Sequence, residues 1–112
     1  MLASAAPMDA QTLRDRAQDR YPEFLETLEA MVNVDCGSYT RDGVNRIADL
    51  CEQRFRDHGW DVDRHPDEGE GLLGDLVIGR LRGSGGANLL LVGHMDTVFD
   101  EGTVAGRPFS GG

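Results

Sequence analysis

The sequence predicts an α/β fold in which amino-terminal helices are followed by strands of a sheet. Apolar residues recur at helical spacing between residues 12 and 57, in two regions separated by a loop at residues 37–40. From residue 60 onward the pattern changes to alternating or short continuous apolar runs, which are typical of strands. The order of the two patterns therefore favours helices first and sheet second.

Local signals mark where the helices begin and end. The first helical region, residues 12–34, is interrupted near Tyr21 and Pro22, and proline suits the first turn of a helix. We therefore expect a frayed helix followed by a firmer one. Asp42 is a candidate cap for the next helix, and Gly59 is expected to end it in a left-handed conformation. The apolar face of that helix consists of Val44, Ile47, Ala48, Cys51 and Phe55.

Three strands are predicted after the helices. Residues 60–65 alternate with a period of two, which indicates a half-exposed strand and makes His65 a surface residue. A charged connector leads to a second strand at residues 76–81. Residues 88–92 form an unbroken apolar run that ends at a glycine, which predicts a third strand covered on both faces.

The candidate functional residues are His94 and Asp96, which follow this third strand. Ligands of open α/β sheets collect beyond the carboxyl ends of strands, and imidazole is a common zinc ligand. A ligating histidine usually needs a carboxylate or carbonyl on its second nitrogen, and Asp96 is close enough in sequence to provide it. The structural alternative is a polar strand end with a solvated histidine and a turn-forming aspartate.

The surroundings of this pair resemble a known family. Residues 93–99, with Gly102-Thr103-Val104 and Arg107-Pro108-Phe109, are similar to the first metal-ligand segment of the di-zinc amidohydrolases. These include glutamate carboxypeptidases, acetylornithine deacetylase and succinyl-diaminopimelate desuccinylase, and the glutamate carboxypeptidase branch fits best. Residues 31–40, with Gly43-Val44 and His58-Gly59-Trp60, agree with that placement. The resemblance extends from about residue 21 to residue 109.

The resemblance implies a zinc-dependent hydrolase that cleaves an amide bond in a small peptide or an N-acyl amino acid, in the manner of a carboxypeptidase. It implies that His94 ligates one of two zinc ions and that Asp96 is the catalytic-site residue that orients His94. Cobalt or manganese could occupy similar ligands. The resemblance further implies a mixed sheet with the strand before His94 well inside it. Complete relatives are often dimeric.

The chain departs from the family pattern after Gly112. The bridging aspartate, the general base and the further ligands of the family lie beyond this point, whereas catalytic zinc needs about three protein ligands. We therefore expect residues 21–112 to be the amino-terminal part of a zinc-peptidase catalytic domain, with residues 1–20 as an extension or frayed helix. This chain alone is expected to be inactive, and marginally stable or self-associating. If further zinc ligands exist here, the candidates are His58, His65, Asp100 and Glu101.

Composition narrows the remaining function classes. The net charge of -9 argues against nucleic acid and anionic membrane as partners, because both require a basic surface. No apolar run approaches the length of a membrane span, and the amino terminus lacks a basic region typical of a signal peptide, so a cytoplasmic location is expected. The two cysteines are not spaced as a zinc site: Cys51 is predicted to be buried, and Cys36 to lie in a loop where it could be exposed.

Two other functions remain open at this stage. One is a non-catalytic interaction fragment with an acidic α/β scaffold, which the missing ligand set favours. The other is an unrelated α/β hydrolase in which the His-x-Asp pattern recurs by chance. The extended match through Arg107-Pro108-Phe109 weighs against the second.

Overall fold

A computed structural model of the chain describes residues 7–111. The described part is a mixed α/β arrangement with four helices and a two-stranded sheet. The elements in chain order are α1 (Ala10–Asp19), α2 (Tyr21–Val32), α3 (Arg41–Asp57), β1 (Asp61–His65), β2 (Leu76–Arg80) and α4 (Thr103–Gly106). Within residues 7–111, none of the helices is long and apolar enough to cross a membrane.

The interruption predicted near Tyr21 and Pro22 is confirmed as the boundary between α1 and α2. Asp9 caps α1, because its side chain accepts a hydrogen bond of 2.7 Å from the backbone N–H of Thr12. Arg20 ends α1, and Pro22 lies in the first turn of α2. The predicted extension, residues 1–20, lies partly outside the described residues, and its described part contains the whole of α1.

The core lies between α3 and the loop that follows α2. The buried apolar residues are Val34, Cys36, Val44, Ile47 and Ala48. The prediction that Cys36 could be exposed is wrong, because only 5% of this residue is accessible. The cause is Gly43, which lets α3 approach the loop so closely that a Cβ at this position would lie 1.7 Å from the Asp35 carbonyl oxygen.

Two further expectations for α3 are refined. Its N-cap residue is Thr40, and Asp42 lies inside the first turn rather than at the cap. A carboxylate there still interacts favourably with the positive end of the helix dipole. Cys51 is only half-buried, although it packs against the core as predicted, and burial raises the pKa of its thiol.

The carboxyl end of α3 confirms the left-handed cap predicted at Gly59, where φ is +77°. The Gly59 N–H donates to the Arg56 carbonyl at 2.9 Å, and the Trp60 N–H donates to the Phe55 carbonyl at 2.9 Å. This is a Schellman motif, which usually includes an apolar contact between the two outer residues. Here the rings of Phe55 and Trp60 stack with centroids 5.0 Å apart. The stacked pair directs the chain from α3 into β1.

The sheet is an antiparallel hairpin in which Asp63 of β1 lies opposite Ile78 of β2. The half-buried residues of β1 alternate with exposed ones, as predicted, and His65 is exposed. Arg64 ties the hairpin to α3, because its guanidinium binds Glu52 of that helix at 3.2 Å as well as Asp75, which precedes β2, at 2.7 Å. Among the described residues the sheet has these two strands only, so the mixed sheet implied by the resemblance is not observed.

The third predicted strand is wrong for the described structure. Residues 88–92 belong to neither a helix nor a strand. Their apolar side chains are exposed rather than covered, with Leu89 at 94% and Val92 at 86%. The physical reason is that a strand forms only when a neighbouring segment accepts and donates its backbone hydrogen bonds. Within residues 7–111 no segment pairs with residues 88–92 as a ladder.

Candidate functional site

His94 lies at one side of an open groove. The groove has a volume of about 550 Å³ and runs between α3, the amino-terminal half of β2 and the segment from Leu91 to Asp96. Its walls are mainly apolar and include Phe55, Val77 and Leu91, while Ser38, His94 and Asp96 supply polar groups. The imidazole of His94 is 82% exposed, so packing against neighbours does not fix the orientation of its ring.

The orientation of His94 is instead set by hydrogen bonds at one ring nitrogen. Its Nδ1 lies 2.8 Å from the Asp96 carbonyl oxygen and 3.1 Å from Asp96 Oδ1. A carbonyl oxygen and an ionised carboxylate accept hydrogen bonds but cannot donate them. Nδ1 must therefore carry the proton in the neutral ring. The lone pair is then on Nε2, which is therefore the nitrogen able to bind a metal ion.

Asp96 is held from its other side by a residue distant in sequence. The Ser38 hydroxyl donates to Asp96 Oδ2 at 2.5 Å, while Oδ1 faces His94. These two hydrogen bonds, with that from Ser38 the stronger influence, lower the pKa of the Asp96 carboxyl below its usual value. Asp96 is thus ionised near neutral pH, as an acceptor from the imidazole should be.

The loop that follows α2, residues 33–38, holds the whole segment that carries the pair. We call it the 33–38 loop. The Thr97 N–H donates to the Cys36 carbonyl at 2.8 Å, and Gly37 and Thr97 form a parallel bridge. The Asp35 carboxylate accepts hydrogen bonds from the N–H groups of Gly102 at 2.9 Å and Val104 at 3.0 Å. The first turn of α4 is therefore anchored to the loop, which α3 packs against.

A second anchor lies further along the same segment. Asn33 Oδ1 accepts a hydrogen bond of 2.8 Å from the Phe109 N–H. The Arg107 guanidinium lies 5.5 Å from the centre of the Phe99 ring, in the geometry of a cation–π contact. Together with the contacts of Asp35 and Cys36, these interactions fix residues 96–109 although this stretch contains only one short helix.

The sequence identified His94 and Asp96 as a pair, and the structure brings them into contact. The sequence did not single out Ser38, Asp35 or Asn33 as parts of the site. The only signal was that Asn33, Asp35 and Ser38 lie in the stretch that resembles the family ahead of the sheet. Polar residues beside Gly37 indicated a loop but not what the loop would contact.

The donor atoms near His94 fit one ligand position. Nε2 is the free nitrogen of an oriented imidazole, whereas a catalytic zinc needs about three protein donors. Within residues 7–111, His, Cys, Asp and Glu side chains nowhere gather in a group of three or more that could hold a metal ion. His58, His65, Asp100 and Glu101, the predicted places for further ligands, are all exposed and do not complete such a group. Further donors would have to come from outside the described residues.

Comparison with known proteins gives a clear relationship. No protein-family model matches the chain. Carboxypeptidase G2 of Pseudomonas sp. (strain RS-16) is 37% identical to it over 93 residues, which cover 83% of this chain. The match supports a glutamate carboxypeptidase-like relationship at the family level. It does not distinguish a branch of that family.

The extent of the match also matters for what can be assigned. The chain aligns with 22% of the length of Carboxypeptidase G2, so it spans about a fifth of this relative. The similarity is therefore one of sequence over this part of the relative. The zinc site, the substrate and the activity of a whole enzyme go beyond it.

Proposed function

We propose that this chain provides the first ligand segment of a zinc-dependent, carboxypeptidase-like amide hydrolase. The observation that supports this most directly is the hydrogen bonding of His94. Its Nδ1 is held by two oxygens of Asp96, and its Nε2 is left free on an exposed ring beside a groove of about 550 Å³. The 37% identity to Carboxypeptidase G2 favours the same assignment.

In this proposal His94 is a zinc ligand and Asp96 the residue that orients it. Zinc held by His94 Nε2 together with further donors would supply Lewis-acid chemistry toward an amide carbonyl and a water molecule. The role of this chain's own residues is to keep the proton of the imidazole on Nδ1 and to aim Nε2 away from Asp96.

The proposed substrates are small peptides or N-acyl amino acids, because Carboxypeptidase G2 is by its name an enzyme that cleaves at a carboxyl-terminal residue. Because residues 7–111 offer one ligand position, we expect the 112-residue chain to have no amidase activity by itself and to bind zinc weakly. An acidic interaction module is the second candidate, which the absence of a three-donor cluster in this range favours.

The test supplies the missing donors. The part of Carboxypeptidase G2 that follows its aligned region is joined after Phe109, and hydrolysis of a panel of N-acyl amino acids is measured with and without zinc. We expect zinc-dependent hydrolysis that His94→Ala nearly abolishes. Asp96→Asn should reduce activity by roughly 10-fold to 100-fold, since it weakens the orientation of a ligand without removing it.

His65→Ala is the matched control, because His65 is an exposed histidine at the end of β1. We expect this variant to retain the activity of the hybrid. A folded hybrid in which His94→Ala is as active as its parent would contradict the proposed zinc ligand. A folded hybrid without any zinc-dependent activity would instead favour the interaction module.

A further inference from the structure

Asp96 is positioned by a hydroxyl that no part of the proposed zinc site requires. Its two carboxylate oxygens have different partners: Oδ1 lies 3.1 Å from His94 Nδ1, and Oδ2 accepts the hydrogen bond of 2.5 Å from Ser38 Oγ. The Thr97 carbonyl is the other acceptor near this hydroxyl, at 3.5 Å. The shorter contact to a charged acceptor is the stronger of the two. The hydroxyl of Ser38 is therefore committed to Asp96.

Ser38 can hold Asp96 because its own backbone is fixed. Gly37, which precedes it, is buried and packs so tightly that a Cβ there would lie 2.5 Å from the Phe99 carbonyl oxygen. The bridge between Gly37 and Thr97 joins the 33–38 loop to the residue after Asp96. On the other side, the Thr40 N–H donates to the Gly37 carbonyl at 2.8 Å and closes a turn. The Ser38 side chain thus starts from a rigid point next to Asp96.

We propose that Ser38 is a positioning residue that fixes the Asp96 carboxylate and, through it, the imidazole of His94. This inference rests on the proposed function, since it concerns how the same histidine is prepared to bind zinc. The three residues form a continuous series of hydrogen bonds from Ser38 Oγ through Asp96 to His94 Nδ1. This series of hydrogen bonds begins in the 33–38 loop and ends at the exposed imidazole ring.

The exposure of Asp96 and His94 explains why the Ser38 hydroxyl matters for their orientation. Asp96 is 38% exposed and His94 82% exposed, so neighbouring side chains restrict neither of them strongly. Without the hydroxyl, the Asp96 carboxylate is free to rotate toward solvent, and Nδ1 then keeps only the Asp96 carbonyl as a partner. Orientation and tautomer of the imidazole should both become less defined.

A pair of nearly isosteric variants separates the hydroxyl from the shape of the side chain. Ser38→Thr retains the hydroxyl, and Ser38→Val replaces it with a methyl group of similar size. Both are made in the metal-free 112-residue chain, with isotope-labelled histidine and aspartate. Nitrogen chemical shifts of His94 report the tautomer, and three-bond couplings report the χ1 angle of Asp96. Ser84→Val, in an exposed glycine-rich loop, is the control for adding an apolar β-branched residue.

We expect Ser38→Thr and Ser84→Val to match the parent. In Ser38→Val, χ1 of Asp96 should be averaged among rotamers, and the ratio of the Nδ1–H to the Nε2–H tautomer should fall about fivefold, which corresponds to one ordinary hydrogen bond. Backbone amide spectra establish that each variant is folded. If Ser38→Val unfolds the chain, Ser38→Ala is measured in its place, because it removes the hydroxyl without adding volume.

The proposal is overturned if a folded Ser38→Val or Ser38→Ala chain keeps the parent's tautomer ratio and Asp96 rotamer. Because these measurements use no metal and no substrate, they do not depend on catalysis. The corresponding hybrid enzymes then test the link to function: loss of the tautomer preference should lower kcat in Ser38→Val and not in Ser38→Thr. A hybrid without zinc-dependent activity, combined with the expected tautomer shift, would reject the proposed function and leave the positioning role intact.

Discussion

Gly43→Ala tests whether close contact between α3 and the 33–38 loop stabilises the fold. A Cβ at residue 43 would lie 1.7 Å from the Asp35 carbonyl oxygen and 2.8 Å from its carbonyl carbon. An ordinary carbon–oxygen contact is about 3.3 Å, so helix and loop would have to separate by roughly 1.6 Å. Both atoms belong to the backbone, and a rotamer change cannot relieve the contact. The strain should cost about 3 kcal/mol, the upper end for overpacking.

Helix propensity acts in the opposite direction. Alanine stabilises a helix interior by about 1 kcal/mol relative to glycine. The expected net effect is therefore a loss of about 2 kcal/mol in the free energy of unfolding, which is a large share of the stability of a small domain. Urea denaturation measures this loss directly. Alkylation of Cys36 under native conditions should also become faster, because only 5% of this residue is accessible in the parent.

Gly106→Ala is the matched control, since a Cβ at this helical position meets nothing within 4 Å. It should leave the stability and the Cys36 reactivity unchanged or slightly improve the stability. If Gly43→Ala were as stable as the parent and Cys36 stayed protected, the tight packing of α3 against the loop would not be the source of Cys36 burial. The helix propensity of alanine would then determine whether Gly43→Ala raises or lowers the free energy of unfolding.

Three other predictions concern charge and exposed surface. The pKa of Asp96 is lowered in the folded chain, so its contribution to stability is complete above the usual value of 3.8 and is lost as pH falls through the lower folded value. The Asp96 hydrogen bonds should therefore persist in spectra recorded at pH 3.8, where a carboxyl with the usual pKa is half protonated. Arg64→Met should lower the free energy of unfolding, measured by urea denaturation, by about 1–2 kcal/mol, because it leaves the half-buried Asp75 without its guanidinium partner. The double variant Arg64→Met, Asp75→Asn should recover part of this loss. Leu90 is 88% exposed among the apolar residues 89–92, so Leu90→Lys should reduce any concentration-dependent association seen by light scattering; association unchanged by Leu90→Lys would place the contact elsewhere.

Elements specified by neighbouring residues were predictable from sequence. Gly59 could be identified as a left-handed cap because it follows a helical apolar pattern, and the structure adds the two hydrogen bonds and the Phe55–Trp60 stack that complete the motif. The hairpin strands were also located within one residue, since alternation along a strand is a local property. In both cases the signal and the structure that it predicts lie within a few residues of each other.

Features that depend on distant partners were not predictable in the same way. The run at residues 88–92 has the composition of a buried strand, yet composition does not show whether a partner strand is available. Cys36 is buried because α3 approaches at Gly43, and no pattern around Cys36 indicates that approach. Ser38 and Asp96 are separated by 58 positions, and their contact depends on how the loop and the segment after residue 93 fold together.

The arrangement at His94 does not depend on sheet formation by the residues that precede it. Residues 88–92 are exposed and belong to neither a helix nor a strand, whereas His94 Nδ1 and both carboxylate oxygens of Asp96 have hydrogen-bond partners. The order comes from the other direction: the 33–38 loop fixes Thr97 through the Cys36 carbonyl and fixes Asp96 through Ser38. Since that loop packs against α3, it can position the imidazole without a strand at residues 88–92. A strand that later pairs with residues 88–92 would then meet a histidine that is already oriented.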